Sequence, residues 1–251
     1  MSRGLGDVYK RQHKKILVTG ASSGIGRGIS IDTSKMGASL IVTARNEERL
    51  KDTMSFLEGK DHSYVIADLS FEDDINRIVD SLPVIDGIVL SAGMIKTMPV
   101  KNISSKAIDE IFDVNIISNI KLLSKLLKRK KLAHSASIVL ISSVSTFNVK
   151  VGNSLYSSTK GAMNSFAKAM ALEVAKLKIR VNCIQPGFIP SNILNTSGIE
   201  EDSMLRWYAE RHPLGFGTPT DIANACIYLL SDAAQWVTGS IFTIDGGYTL
   251  Q

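Results

Sequence analysis

From His13 onward, short runs of apolar and β-branched residues alternate with longer stretches in which apolar positions recur at helical spacing. Seven runs read as strands: KKILVTG at 14–20, SLIVTAR at 39–45, SYVIADLS at 63–70, IDGIVLSAG at 85–93, SIVLISS at 137–143, IRVNCIQPG at 179–187 and SIFTIDGG at 240–247. Helical spacing predicts helices over 26–37, from Asn46 to about Glu58, and over about 105–131 and 155–177. The strands are apolar throughout instead of alternating, so both faces of their sheet must be covered. Strands separated by helices then predict a parallel sheet wrapped on two sides. No repeat, low-complexity tract or linker breaks the pattern, which predicts one α/β doubly wound domain of the Rossmann type over 13–251.

The chain has 251 residues, 44% of them hydrophobic and 21% charged, the balance of a soluble protein able to bury a full core. No apolar run approaches the ~20 residues that span a bilayer, so no membrane partner is expected. Cys183 and Cys226 both sit in apolar patterns and read as reduced core residues, which points to a cytoplasmic protein. The four histidines have no metal-ligand spacing. Residues 1–12, MSRGLGDVYKRQ, resemble translated sequencing-adapter read-through and lack the pattern of a signal or transit peptide. They read as a non-native extension. Without them the formal charge falls from +5 to +3, too mild to suggest nucleic-acid binding.

In VTGASSGIGRG, Gly20, Gly24 and Gly26 follow the first strand and open a helix. Glycine permits the tight turn and lets backbone N–H groups approach a pyrophosphate at the helix N-terminus. Three glycines after a strand also occur in purely structural turns, so the loop by itself is weak evidence. Its strand-and-helix context favours a nucleotide.

TGASSGIG at 19–26 resembles the glycine loop of the short-chain dehydrogenase/reductase family, in the subtype that reads Thr-Gly-x-x-x-Gly-Ile-Gly. The resemblance continues almost to the C-terminus, ending in SDAAQWVTGSIFTIDGG at 231–247. It implies a catalytic tetrad of Asn115, Ser143, Tyr156 and Lys160. It also implies cofactor contacts from Gly20, Ser22, Ser23, Gly24, Ile25 and Gly26 in the loop. Arg45, Asp68 and Leu69 fall at the adenosine end, Ser91, Ala92 and Gly93 beside the cofactor, and Pro186, Gly187, Ile189 and Ser191 where the nicotinamide carboxamide is received. Tyr156 and Lys160 contact the cofactor as well. Two positions depart from the family pattern. Ser91 stands where the family has an asparagine whose amide braces the central strand, and PLGFGTP at 213–219 lacks a common arginine.

The chemistry of these residues follows from their types. A hydride delivered to a carbonyl carbon leaves an alkoxide that needs a proton, and a free tyrosine with pKa ~10 is a poor shuttle near neutrality. Lys160 lies one helical turn beyond Tyr156 on the same face and is expected to lower its pKa. A lone Tyr-x-x-x-Lys pair is usually a surface feature; the serine, the asparagine and the glycine loop give it meaning. Ser143 is expected to hold the carbonyl oxygen. Asn115 is expected to interrupt its helix and hold a water linked to Lys160.

At the end of the second strand, Ala44 occupies the slot where an acid would bond the ribose 2′-hydroxyl of NAD, and Arg45 follows. A guanidinium suits a 2′-phosphate, so NADP(H) is favoured over NAD(H), although Arg45 also reads as a solvated helix start. Met204, Leu205, Trp207 and Tyr208 read either as an apolar lid or as the packed face of a short helix. The basic run Lys128–Lys131, with Lys176 and Lys178 nearby, reads as a solvated helix end or as a docking patch for an acidic carrier protein, a role the resemblance to 3-oxoacyl-acyl-carrier-protein reductases implies. The expectation is therefore an NADPH-dependent carbonyl reductase, 3-oxoacyl-reductase-like, acting on a small carbonyl or alcohol that is free or carrier-linked. The resemblance also implies a homo-oligomer, tetramer or dimer. The alternatives are a reductase of a free ketone, steroid or sugar-derived carbonyl, and a non-catalytic dinucleotide-binding redox sensor.

Overall fold

The structure is a computed structural model that describes residues 14–190, 206–207 and 209–250. The string at 1–12 lies outside the described residues. Seven strands form one parallel sheet: β1 Lys15–Thr19, β2 Ser39–Ala44, β3 Ser63–Ile66, β4 Ile85–Leu90, β5 Leu132–Ile141, β6 Arg180–Pro186 and β7 Ile241–Ile244. Their spatial order is β3-β2-β1-β4-β5-β6-β7. The chain steps outward from β1 to β3, then returns to the other side of β1 to build the second half. That reversal opens a crevice at the carboxyl ends of β1 and β4, where open α/β sheets bind ligands.

Seven helices among the described residues cover the sheet: α1 Gly24–Lys35, α2 Glu47–Ser55, α3 Glu72–Ser81, α4 Ser105–Phe112, α5 Ser118–Lys128, α6 Ser154–Glu173 and α7 Pro219–Leu230. Alternation along each strand divides the apolar side chains between two layers. Ile16 and Val18 of β1 join Val89, Val139 and Ile184 beneath Ile29, Leu50, Ile222 and Cys226 of α1, α2 and α7. Leu17 faces the opposite layer, where Ile88, Leu140 and Val181 meet Ile75, Leu122, Leu126, Met163 and Met170 of α3, α5 and α6. Both cysteines are free and buried. Among the described residues, no helix is long and apolar enough to cross a membrane.

Three differences from the sequence pattern have local causes. The pattern picked out no helix over 72–81 or 219–230, where α3 and α7 lie. The first turn of α3 carries Glu72, Asp73 and Asp74, which favours a helix N-terminus but hides the short apolar stripe Ile75, Ile78 and Val79. α7 starts at Pro219 inside a Thr218–Asp221 capping box, a signal that was present in TPTD. The single helix predicted over 105–131 is split by a π turn at Asp113–Ile117, which separates α4 from α5. β5 begins at Leu132, five residues before the predicted 137, and its pairing with β4 shifts register between Ile85 and Gly87.

Candidate active site

The glycine loop is shaped by backbone contacts with the loop after β4. Gly20 has φ +67°, and a Cβ there would come within 2.8 Å of the Ala92 backbone. A Cβ on Gly26 would overlap the Gly20 carbonyl. Between these two loops, the Thr19 hydroxyl accepts the N–H groups of Ser91 and Ala92, each at 3.1 Å. Thr19 therefore braces the loop after the central strand at Ser91, where the family's asparagine amide is absent. Thr19 is fully buried, and only its place before Gly20 hinted at this role.

At the start of α1, Ser23 caps in extended conformation without a side-chain hydrogen bond, and the first turn holds no acid. The N-terminal N–H groups and the positive end of the helix dipole thus face a turn that lacks negative charge, with Gly24 at φ +52° letting the chain enter it closely. Ile25 packs inward against the α1 layer, which anchors the loop. Ser22 and Ser23 remain at least partly accessible. These residues fit a pyrophosphate: a Cβ at Gly20 or Gly26 would fill the cradle, and no carboxylate opposes the anion.

Farther along the crevice, Arg45 follows β2 with its guanidinium 3.7 Å from the Asp68 carboxylate and its side chain 74% exposed. Asp68 also accepts the Ser70 N–H at 2.9 Å, and Leu69 is buried beside it. On the other half of the sheet, β6 ends at Pro186, and the Gly187 N–H donates to Ile244 O at 2.9 Å. A Cβ on Gly187 would lie 2.8 Å from the Asp245 backbone, so this turn too requires glycine. Ile189 packs against the α7 layer. Phe216, at the place of the missing arginine, joins Phe188 at 5.5 Å and His212 at 5.8 Å between ring centroids. That departure builds an aromatic cluster behind the 186–189 turn. Ser191, Met204, Leu205 and Tyr208 lie outside the described residues. Trp207 is 41% exposed.

Tyr156 and Lys160 occupy the first two turns of α6, above the carboxyl end of β5. Lys160 is buried, and its Nζ donates to Ile141 O at 2.7 Å while lying 5.7 Å from the Tyr156 ring centroid. Ser143, just past β5, accepts the Ser145 N–H at 3.1 Å and hydrogen-bonds the Tyr156 side chain. Ser142 points the other way, as strand alternation requires, and its hydroxyl donates to Lys160 O at 3.3 Å. The structure thus brings Ser143, Tyr156 and Lys160 together.

Asn115 sits in the π turn and is fully buried. Its amide nitrogen donates to Met94 O at 2.9 Å and to the Thr159 hydroxyl at 3.1 Å, while its Oδ1 accepts the Met94 N–H at 2.8 Å. Its own backbone oxygen takes a bond from Asn119 Nδ2 at 2.8 Å. The Asn115 side chain is thus a brace that clamps the 93–94 loop to α6. A Cβ on Gly93 would lie 3.3 Å from Asn115 Oδ1 and 3.6 Å from Lys160 Nζ, so the loop passes close to both. Thr159, which sequence reasoning missed, completes the clamp by donating to Tyr156 O at 2.8 Å. Its signal was present in the string, as the small polar residue just before Lys160.

The ionisation behaviour also departs from expectation. Burial pushes the Tyr156 phenol above its ordinary value, and the bond with Ser143 only partly opposes this. Lys160 was expected to pull the phenol down, but its ammonium is turned onto Ile141 O and desolvation of the ring prevails. Burial brings Lys160 itself down to about 8, with the neighbouring Cys183 acting in the opposite sense. Near neutrality the site therefore pairs a protonated phenol with a buried ammonium.

A doubly wound sheet with a glycine cradle at its switch point, and buried hydroxyl and ammonium groups at the same edge, defines an NAD(P)-dependent oxidoreductase. The chain belongs to the short-chain dehydrogenase/reductase family, whose members bind a nicotinamide dinucleotide. A family model described as "Enoyl-(Acyl carrier protein) reductase" matches residues 20–249. The chain is 31% identical over 243 residues to a 3-oxoacyl-[acyl-carrier-protein] reductase of Chlamydia muridarum, covering 94% of this chain and 97% of the relative. It is 31% identical over 247 residues to the protein of the same name from Aquifex aeolicus, with 95% and 98% covered. Among solved structures, a short-chain type dehydrogenase/reductase from Mycobacterium ulcerans is similar with a TM-score of 0.86 at 30% identity, covering 96% of this chain and 92% of that one.

Proposed function

We propose that the protein is an NADPH-dependent carbonyl reductase acting on a 3-oxoacyl group. The observation that carries this reading is the grouping of buried Ser143 and Lys160 with half-buried Tyr156 at the carboxyl edge of β5. A bound nicotinamide dinucleotide supplies the hydride. Ser143 donates a hydrogen bond to the carbonyl oxygen and holds it beside Tyr156. The Tyr156 hydroxyl gives its proton to that oxygen as negative charge develops. Lys160, held by Ile141 O, stabilises the phenolate left behind, and the Asn115–Thr159 clamp keeps α6 against the 93–94 loop.

Steady-state assay of a panel of ketones, oxo esters and 3-oxoacyl thioesters with NADPH and NADH tests the reading. Turnover of 3-oxoacyl thioesters with NADPH supports it. Dinucleotide binding without oxidation against the whole panel would favour the redox-sensor alternative instead.

The NADPH preference rests on Arg45. Its contact with Asp68 is long and exposed, so it contributes little to stability and the guanidinium is available to a 2′-phosphate. Arg45→Ala is expected to lower kcat/KM with NADPH by about tenfold or more while changing NADH by no more than about twofold. Higher kcat/KM with NADH in the wild type would overturn the assignment.

The names of the relatives, together with the basic run after α5, support a carrier-linked substrate. Within the run, Arg129 pairs with Asp80 and Lys131 donates to Leu82 O, so these two tie the helix end to α3 and its exit. Lys128 and Lys130 are exposed and are the candidates for an acidic carrier. The double variant Lys128→Glu/Lys130→Glu is expected to raise KM for a carrier-linked substrate about tenfold and to spare a free ketone. Equal loss on both substrates would remove the patch from the reading. Exposed Ile117 and Ile120 near and on α5, Leu172 on α6 and Trp236 before β7 support a homo-oligomer. The buried free thiols support a cytoplasmic setting.

A further inference from the structure

Between β5 and α6, residues 148–151 form part of the wall of a cleft of about 750 Å³ that Trp207, Glu210, Arg211 and Tyr248 also line. Lys150 reaches into an aromatic setting there, with Nζ 4.6 Å from the Trp207 ring centroid and 5.5 Å from that of Tyr248. Arg211 stacks on the same indole, with Cζ 4.1 Å from its centroid, and donates from Nη1 to Trp207 O at 3.2 Å. Two cations thus share one tryptophan.

Their proximity has a measurable cost. Lys150 is brought down to about 8, first by burial and then by repulsion from Arg211. Glu210 is the one carboxylate that faces the cleft among the described residues. The cleft is also tied to the catalytic end of the molecule. The Asn153 N–H, at the N-cap of α6, donates to Lys150 O at 3.1 Å, and Tyr156 lies in the first turn of that helix.

We propose that Lys150 and Arg211 bind an anionic oxygen group carried by the carbonyl substrate, while Trp207 and Tyr248 cover the adjoining hydrocarbon. The proposal rests on the carbonyl-reductase reading and names the substrate class for that site. An anion set between the two cations removes their repulsion and gains charge-assisted hydrogen bonds from both. The aromatic faces supply the apolar contact that a free surface pair lacks. The anion is the carboxylate of a free oxo acid or the phosphate of a carrier-type thioester arm.

Matched substrates separate these sources. One pair is a short oxo acid and its methyl ester. The other is a 3-oxoacyl thioester of phosphopantetheine and that of pantetheine. Lys150→Met is expected to lower kcat/KM for the anionic member of the responding pair about tenfold more than for the neutral member, through KM, with Lys150→Arg restoring most of it. Equal losses within both pairs would overturn the proposal.

Binding alone gives a readout independent of turnover. The chain has two tryptophans, so in a Trp236→Phe background Trp207 is the sole reporter. Titration with butanoate and with inorganic phosphate is expected to change its fluorescence saturably, with at least about tenfold weaker binding in Lys150→Met. If no carbonyl in the panel is reduced but this anion-dependent change persists, the reductase reading fails and the anion site stands. If neither anion perturbs Trp207, the anion site fails.

Discussion

Tyr156→Phe is expected to lower kcat/KM for carbonyl reduction by about 10²–10⁴-fold, the range a single general acid supplies. Dinucleotide affinity should stay within a few-fold, because the glycine cradle is built by residues 19–26 and 91–92 and does not depend on the phenol oxygen. The ring is half-buried against Leu155 and Ile111, and phenylalanine keeps that packing. The hydroxyl removed has Ser143 as its partner, so the loss falls on proton delivery and carbonyl orientation together. Single-turnover reduction with pre-bound NADPH, alongside a dinucleotide titration, checks both halves. Retained turnover in this variant would mean that another group delivers the proton.

Lys160→Met should lose activity by about 10²-fold or more and also change how stability responds to pH. In the wild type the folded-state pKa of Lys160 is about 8, against an ordinary 10.5. Below pH 8 the amine is protonated in both the folded and unfolded states, so it contributes no pH dependence. Between about 8 and 10.5 the unfolded chain binds more protons, and this group makes stability rise with pH. Denaturant midpoints measured across that window should therefore show a rising contribution in the wild type that Lys160→Met lacks. The same titration predicts that reduction slows as pH rises through about 8, where the ammonium beside Tyr156 is lost. Identical midpoint profiles in the two proteins would show that Lys160 does not carry a depressed pKa.

These two side chains are also where sequence and structure diverge most usefully. Their types and four-residue spacing put them on one helix face, and that much was legible. The sense of the Tyr156 shift was not, because it depends on how completely α6 and the loop after β5 desolvate the ring. Asn115 shows the same division. Its place in the chain marked an interruption of the long helix, and a π turn lies there. That its side chain is spent on Met94 and Thr159 follows only from the approach of two loops distant in sequence. In the Lys150–Trp207–Arg211 cluster, Trp207 and Arg211 are four residues apart, but the sequence did not show that Lys150 joins them from a segment more than fifty residues away.

By itself the sequence determined the sheet, the glycine loop and the types of residue available at the candidate site. These are properties of local patterning: apolar runs make strands, glycines admit close backbone approach, and residue type sets the available chemistry. The tertiary structure alone decided which groups are desolvated, which polar atoms are already spoken for, and which charges face one another across the cleft. Solvent exclusion and long-range contact have no periodicity along the chain, so no window of residues encodes them separately from the fold.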